Sequence, residues 1–319
     1  MVQKEVREGE FIRWFSELSN KDVNIAGGKG ASLAEMYNNH FPIPPGFVVT
    51  AQAYKYFIEK TGLASSIEAL LGRLNTEDTK KLDETSKKIR TMIESVELPE
   101  EIEQEIVEAY DILGAEKDEA RHGALDVLST KGKPFVAVRS SATTEDLADA
   151  SFAGQQDSFL GVRGHEDLIN KVKMCMTSLF TARAIYYRAK KRFSTNNALL
   201  SVVVQKMINS EKSGVMFSRN PVKNDENVVI DAVFGLGEGI VSGRIVPDHY
   251  VVSHEEEIVE MNVSDKRVAI VRSDKGDIEE IKLKPEQSHQ QVLSGYEIKR
   301  LAQYGMHLEE HYKKPQDIE

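Results

Sequence analysis

Apolar residues at positions 33, 36 and 37 have helical spacing, so Gly27-Gly28-Lys29-Gly30 leads into a helix. Pro42, Pro44 and Pro45 then enforce an extended stretch, and Gly46 precedes a short strand, Phe47-Val48-Val49. Thr50 is placed to cap a helix carrying Tyr54, Phe57 and Ile58. Residues 63 to 114 read as helices with charged faces, one marked by Ile67, Leu70, Leu71 and Leu74, another by Ile102, Ile106, Val107 and Tyr110. Phe135-Val136-Ala137-Val138 is a short apolar run ending at a charge, the pattern of a buried strand that delivers Arg139 to a sheet edge. A long helical stretch follows from about 166 to 192, with Leu179, Ala182, Ile185 and Tyr186 on one side. Its basic end, Arg188 to Arg192, reads as a solvated helix terminus favoured by the dipole. From Leu199 onward the pattern changes to strands: Leu199 to Met207, Ser213 to Phe217, Val228 to Phe234, and Tyr250 to Val252. That change sets an expected lobe boundary at 200, giving lobes of 1–200 and 201–319. The chain closes on one more helix, in which Ser294 and Glu297 form a capping box and Ile298, Leu301, Ala302 and Leu308 make the apolar stripe.

Length and charge narrow the class. At 319 residues the chain can bury a sizeable core and build two lobes, and a net charge of −10 argues against a nucleic-acid surface. The lone cysteine, Cys175, rules out an internal disulfide and fits a reducing compartment. Flanked by Met174 and Met176 in a helical pattern, it reads as a buried structural thiol. The first residues lack a signal-peptide core, and no apolar run is long enough to span a bilayer. A cytoplasmic protein with neither membrane nor nucleic-acid partners is expected.

The segment from Val138 to Phe159 carries the chemistry. It sets Arg139 at the end of an apolar strand, then a hydroxyl-rich turn, Ser140-Ser141-Ala142-Thr143-Thr144, then a small loop around Gly154. A guanidinium offers paired donors to phosphoryl oxygens, hydroxyls add donors, and glycine lets backbone N–H groups approach, so a nucleotide site is one reading. A capped loop with an ion pair from Arg139 to Glu145 or Asp146 is the other. Lys29 sits in a Gly loop opening a helix, where free N–H groups favour anions, although Gly30 after the lysine excludes a P-loop. Gln205-Lys206-Met207 ends an apolar strand, suiting either a hinge that holds adenine or a strand running out to solvent. Phe234-Gly235-Leu236-Gly237-Glu238 fails as a dinucleotide fingerprint, because Ile240 takes the third glycine position and Glu238 would set a carboxylate against the pyrophosphate. Asp317 and Glu319, at i and i+2, would share one face of a strand and suit Mg²⁺, or form a solvated tail.

VRSSATTEDLADASFAGQQDSFL resembles the matching segment of the ATP-binding domain of the phosphoenolpyruvate synthase family, which includes pyruvate phosphate dikinase and rifampin phosphotransferase. GGKGASLAEM, SVVVQKM, the segment from Gly214 to Pro221, and Pro315-Gln316-Asp317-Ile318-Glu319 resemble further family motifs in the expected order. The resemblance implies an α/β (α+β) chain with an ATP-grasp-like, two-lobed nucleotide-binding fold. It implies that Lys29 and Arg139 are the catalytic, phosphate-binding cations and that Gly154 and Ser158 grip the phosphates. It further implies that Gln205, Lys206 and Met207 hold adenine and that Glu238 faces the ribose. Arg219 either lines the site or fixes a turn. Glu319, with Asp317, would bind Mg²⁺.

The implied reaction phosphorylates a carrier histidine on a separate phosphocarrier domain, which swivels to a pyruvate/phosphoenolpyruvate barrel. The net conversion is of pyruvate, ATP and water to phosphoenolpyruvate, AMP and phosphate. The family's Gln-[Ser/Cys]-Arg strand, its Gly-Gly-x-x-x-His carrier context and its barrel have no match in the 319 residues. An isolated ATP-binding part without steady turnover is therefore expected. An antibiotic phosphotransferase domain and a non-catalytic nucleotide module are the alternatives.

Overall fold

Strand alternation decides how the N-terminal half is layered. The computed structural model describes residues 11–115, 133–143, 157–191, 199–223 and 225–319. The chain divides into two units, Met1–Met207 and Ile208–Glu319. The first holds β1 (Ile12–Trp14), α1 (Val23–Asn38), β2 (Gly46–Val49), α2 (Ala51–Lys60), α3 (Leu63–Leu71), α4 (Thr79–Glu94) and α5 (Glu100–Ala115). It continues with β3 (Val136–Ala142), β4 (Ser158–Val162), α6 (His165–Thr177), α7 (Ala182–Lys191) and β5 (Leu200–Lys206). The strands form one antiparallel sheet in the order β1-β2-β5-β3-β4.

Successive side chains on a strand point to opposite faces, and both faces here are apolar. Val48 and Val203 turn to one side and pack under Ala26, Ala31 and Ala34 of α1. Phe47, Val49, Val136, Val138, Leu200, Val202 and Val204 turn to the other and bury against α2 to α7. Thr50 caps α2 as its position predicts, its hydroxyl accepting from Ala53 N–H at 3.2 Å.

Three expectations change. β3 lies between β5 and β4, so Arg139 belongs to an internal strand rather than a sheet edge. The helix expected over 166–192 breaks into α6, a 3-10 turn at Ser178–Phe180, and α7. The break is at Thr181, whose hydroxyl caps the restart by accepting from Ala184 N–H at 3.2 Å. The division between units falls at Met207/Ile208 and not at 200, because β5 is the central strand of the first sheet.

Arg188 also departs from its expected solvated terminus. It is 3% exposed, lies 5.8 Å from the centre of the Phe180 ring, and donates to the carbonyl of Leu179. Among the described residues its Nε and Nη1 have no hydrogen-bond partner, and burial pushes its pKa down to about 10.

The second unit carries β6 (Lys212–Phe217), β7 (Val228–Phe234), α8 (Glu238–Val241), β8 (Asp248–Val252), β9 (Ile258–Asn262), β10 (Val268–Arg272), β11 (Ile278–Lys282), α9 (Pro285–Ser288), α10 (Gly295–Tyr312) and β12 (Asp317–Ile318). β10 and β11 form a hairpin, and the others an antiparallel sheet ordered β12-β6-β7-β8-β9. One sheet face, with Met216, Val228, Ile230, Ala232, Tyr250 and Val252, buries against Ile298 and Ala302 of α10. The capping box read from the sequence starts that helix: Ser294 N–H donates to Glu297 at 2.7 Å, and Ser294 Oγ accepts from Glu297 N–H at 3.3 Å. No helix among the described residues is long and apolar enough to cross a membrane.

Candidate nucleotide site

Lys29 is carried by a kinked helix. Gly27, at φ 66°, ψ 174°, is a kink between two helical segments of α1, so the glycine loop opens the second of them, as the sequence predicts. A side chain at Gly27 would meet the carbonyl oxygen and Oγ of Ser141, each 2.3 Å from a built Cβ, which restricts the position to glycine on both conformation and space. Ser141 Oγ donates to Ala26 O at 2.9 Å and accepts from Gly30 N–H at 3.2 Å. Ser201 Oγ of β5 in turn donates to Ser141 O at 3.0 Å.

Arg139 and Ser141 are two apart on β3 and so share a face, the one that α1 covers. Arg139 pairs with Val203 on β5 and with Ser158 on β4, bringing the exposed Ser158 to the same side. Lys29 and Arg139 are both half-buried. Burial raises the pKa of Cys175, the Asp157 charge adds to the rise, and the charge of Lys29 opposes it. Cys175 itself is fully buried, as expected of a structural thiol.

The described hydroxyls of the turn after Arg139, those of Ser140, Ser141 and Thr143, are engaged by backbone carbonyls, while Thr144 and the proposed Arg139 partners Glu145 and Asp146 lie outside the described residues. Ser140 Oγ donates to Asp157 O at 3.2 Å, Ser141 Oγ to Ala26 O, and Thr143 Oγ1 to Leu199 O at 3.1 Å. A turn packed this tightly uses its hydroxyls to satisfy buried carbonyls, which a linear motif does not reveal. Gly154 lies outside the described residues.

The end of β5 is tied down at each residue. Gln205 Nε2 donates to Pro44 O at 3.1 Å, and Lys206 N–H to Pro45 O at 3.0 Å. Met207 N–H donates to Phe135 O at 2.9 Å, while Met207 Sδ accepts from Gly161 N–H at 3.1 Å. Val203, opposite Arg139, is four residues from Met207, a span of about 13 Å along the strand.

In the second unit, the Arg219 guanidinium pairs with Glu309 of α10 at 3.0 Å, beside Ser218 Oγ, which donates to the same carboxylate at 2.6 Å. Glu238 is exposed at the start of α8. Asp317 pairs with Phe217 on β6, while Ile318 turns into the α10 core, so Asp317 and Glu319 lie on the opposite face. Burial raises the Asp317 pKa, and the Glu319 charge raises it further. Two hard oxygen donors on one face of a strand suit a small divalent cation, and Mg²⁺ takes one or two carboxylates when phosphates complete its shell.

Strand parity adds a pair that the sequence gave no sign of. Asp231 and His249 face each other across β7 and β8 at 2.7 Å, on the Asp317 side of the sheet. Separated by 18 positions, they are joined only by register. A cleft of about 300 Å³ lies elsewhere in this unit, walled by Phe234, Val271, Ile281 and Leu283, with Glu211 and Arg272 among its polar lining. Phe234 belongs to the α10 face, away from the two carboxylates.

Residues 23–319 match the family described as pyruvate phosphate dikinase, AMP/ATP-binding domain. The chain is an α+β nucleotide-binding domain of the ATP-grasp-like class. It belongs to the pyruvate phosphate dikinase AMP/ATP-binding domain family. It is 47% identical over 312 residues to a probable phosphoenolpyruvate synthase of Methanocaldococcus jannaschii, covering 97% of this chain and 25% of that protein. A probable phosphoenolpyruvate synthase of Archaeoglobus fulgidus is 47% identical over 309 residues, with 97% and 39% covered. The phosphoenolpyruvate synthase of Pyrococcus furiosus is 43% identical over 349 residues, with 97% and 41% covered. The chain thus spans from a quarter to about two fifths of the length of these relatives.

Proposed function

We propose that this chain binds Mg²⁺·ATP and supplies the nucleotide-handling part of a cytoplasmic phosphoenolpyruvate synthase. The reading is carried by one observation above the family match: the Lys29 loop, Arg139 and Ser158 belong to one side of one sheet. Lys29 and Arg139 neutralise the charge that develops as a phosphoryl group leaves ATP, in a half-buried setting where each charge acts more strongly than in water. Ser158 adds a donor, together with Gly154 of the preceding loop. Gln205, Lys206 and Met207 take the base, the about 13 Å from Met207 to the level of Arg139 being a span over which base and phosphates separate.

In the second unit Glu238 takes the ribose, and Asp317 and Glu319 hold Mg²⁺, which when bound screens the phosphate oxygens. Arg219 serves the site by holding the turn after β6, through its pair with Glu309. The acceptor is a carrier histidine on a separate phosphocarrier domain, which passes the phosphoryl group to pyruvate on a barrel domain. Pyruvate, ATP and water so become phosphoenolpyruvate, AMP and phosphate.

Calorimetric titration of Mg²⁺·ATP into the wild-type chain and into Lys29→Ala and Arg139→Ala variants tests the reading. Each variant is expected to bind more weakly by about 1.5–3 kcal/mol, roughly ten- to a hundredfold. Unchanged affinity in both variants would remove Lys29 and Arg139 from the site.

A further inference from the structure

We infer that Ser141 is a positioning residue for the nucleotide site: its hydroxyl stands within the backbone hydrogen-bonding of α1 and thereby fixes Lys29 relative to the strand that carries Arg139. The inference rests on the nucleotide reading above and goes beyond it, assigning a role to a residue that touches no phosphate.

The geometry is specific to this hydroxyl. In a continuous helix the Gly30 N–H would donate directly to the carbonyl of Ala26, four residues back. Gly27, at φ 66° and ψ 174°, leaves the helical conformation between them. Ser141 Oγ takes up both groups, accepting from Gly30 N–H at 3.2 Å and donating to Ala26 O at 2.9 Å. Insertion of a side chain into the ladder is a recognised cause of a helix kink. Here the inserted side chain comes from the sheet, so the kink is pinned to β3.

Lys29 lies within the bridged turn, between the kink at Gly27 and the anchored Gly30. Arg139 is two residues before Ser141 on the same face of β3. One hydroxyl therefore connects the backbone segments of both cations. The connection extends one strand further through Ser201 Oγ, which donates to Ser141 O at 3.0 Å. Ser141 and Ser201 are both 0% exposed.

The hydroxyl fills the space beside the kink, since a Cβ added at Gly27 would lie 2.3 Å from Ser141 Oγ. Loss of Oγ would leave the Ala26 carbonyl and the Gly30 N–H without their bridge. The turn would then re-form its own ladder or splay, and either change moves Lys29.

The test is a double-mutant cycle between Ser141→Ala and Lys29→Ala, read by calorimetric titration of Mg²⁺·ATP into the full chain. Ser86→Ala serves as the control, since its hydroxyl is also buried and donates to Phe180 O at 2.6 Å in the helical layer. Ser141→Ala is expected to weaken binding about tenfold in the wild-type background and by less than about twofold when Lys29 is already alanine. Ser86→Ala is expected to lower the unfolding midpoint and leave the affinity unchanged.

Equal losses in both backgrounds, or no loss in wild type, would overturn the positioning role. A Lys29→Ala variant that binds as wild type would instead overturn the nucleotide role of Lys29 itself, a result read from that single variant alone. If Ser141→Ala does not fold, Ser201→Ala enters the same cycle, and its effect must again shrink in the Lys29→Ala background. Additive effects there would overturn the inference equally.

Discussion

Lys266 and Asp248 are 0% exposed at their side chains and joined as an ion pair beneath the second sheet. Burial pushes the Asp248 carboxyl up, but hydrogen bonds from Lys266, Ser264 N–H, Val292 N–H and Tyr250 together outweigh it and hold the group below the ordinary carboxylate range. A depressed carboxylate pKa adds stability above the ordinary value that is lost as pH falls through the folded one. Removing one partner leaves the other charge buried, so Lys266→Met is expected to cost about 3 kcal/mol, toward the low end because the donors from Ser264, Val292 and Tyr250 to Asp248 remain. Urea unfolding at neutral pH reads this directly, and a loss under about 1 kcal/mol would show that the pair contributes little. Single residues were legible in the sequence where spacing alone defines their role, as for the Thr50 cap and the buried Cys175. They were not legible where burial decides. Arg188 reads as a helix-end cation but is covered by Phe180, and the Ser140 and Ser141 hydroxyls read as donors to a ligand but serve Asp157 O and Ala26 O.

At the scale of elements, α10 shows how a local signal and a distant partner combine. Its capping box is written in Ser294 and Glu297, but Lys212 of β6 also reaches Glu297, at 2.9 Å. Lys212 first, then the Ser294 N–H and hydroxyl, draw the Glu297 pKa from its ordinary 4.5 to about 2. Stability from this group is present above 4.5 and is lost as pH falls toward 2. The side chains are 35% and 38% exposed, so screening keeps the pair's share modest. Ser294→Ala is expected to lower stability by about 1 kcal/mol. Glu297→Gln should flatten the acid limb of a stability–pH curve obtained by urea unfolding, and an unchanged limb would contradict the assignment. Helices with strong 3.6-residue stripes and strands with buried faces were readable in this way. β9 and β11 were not, since most of their residues are exposed and present no apolar alternation. The break at Ser178–Phe180 escaped because an apolar stripe continues across it, with neither glycine nor proline to mark it.

For the whole molecule, the change of pattern near Leu199 was visible, yet the division falls at Met207/Ile208. β5 pairs with β2, more than 150 residues upstream, and with β3, 58 to 70 residues upstream, and such pairings leave no periodic trace along the chain. The candidate site was legible through separated motifs, each carrying one residue type suited to phosphate, base or metal. What joins them, the Ser141 bridge and the strand registers, is a property of the folded chain. The central claim is that Mg²⁺·ATP binds through the Lys29 loop and the Arg139 strand. Amide hydrogen exchange with and without Mg²⁺·ATP tests it most directly. The account predicts slowed exchange in peptides spanning 23–38, 136–142 and 200–207 of the first unit and 312–319 of the second. No protection in the first three, or protection confined to the cleft around Phe234 and Arg272, would contradict it.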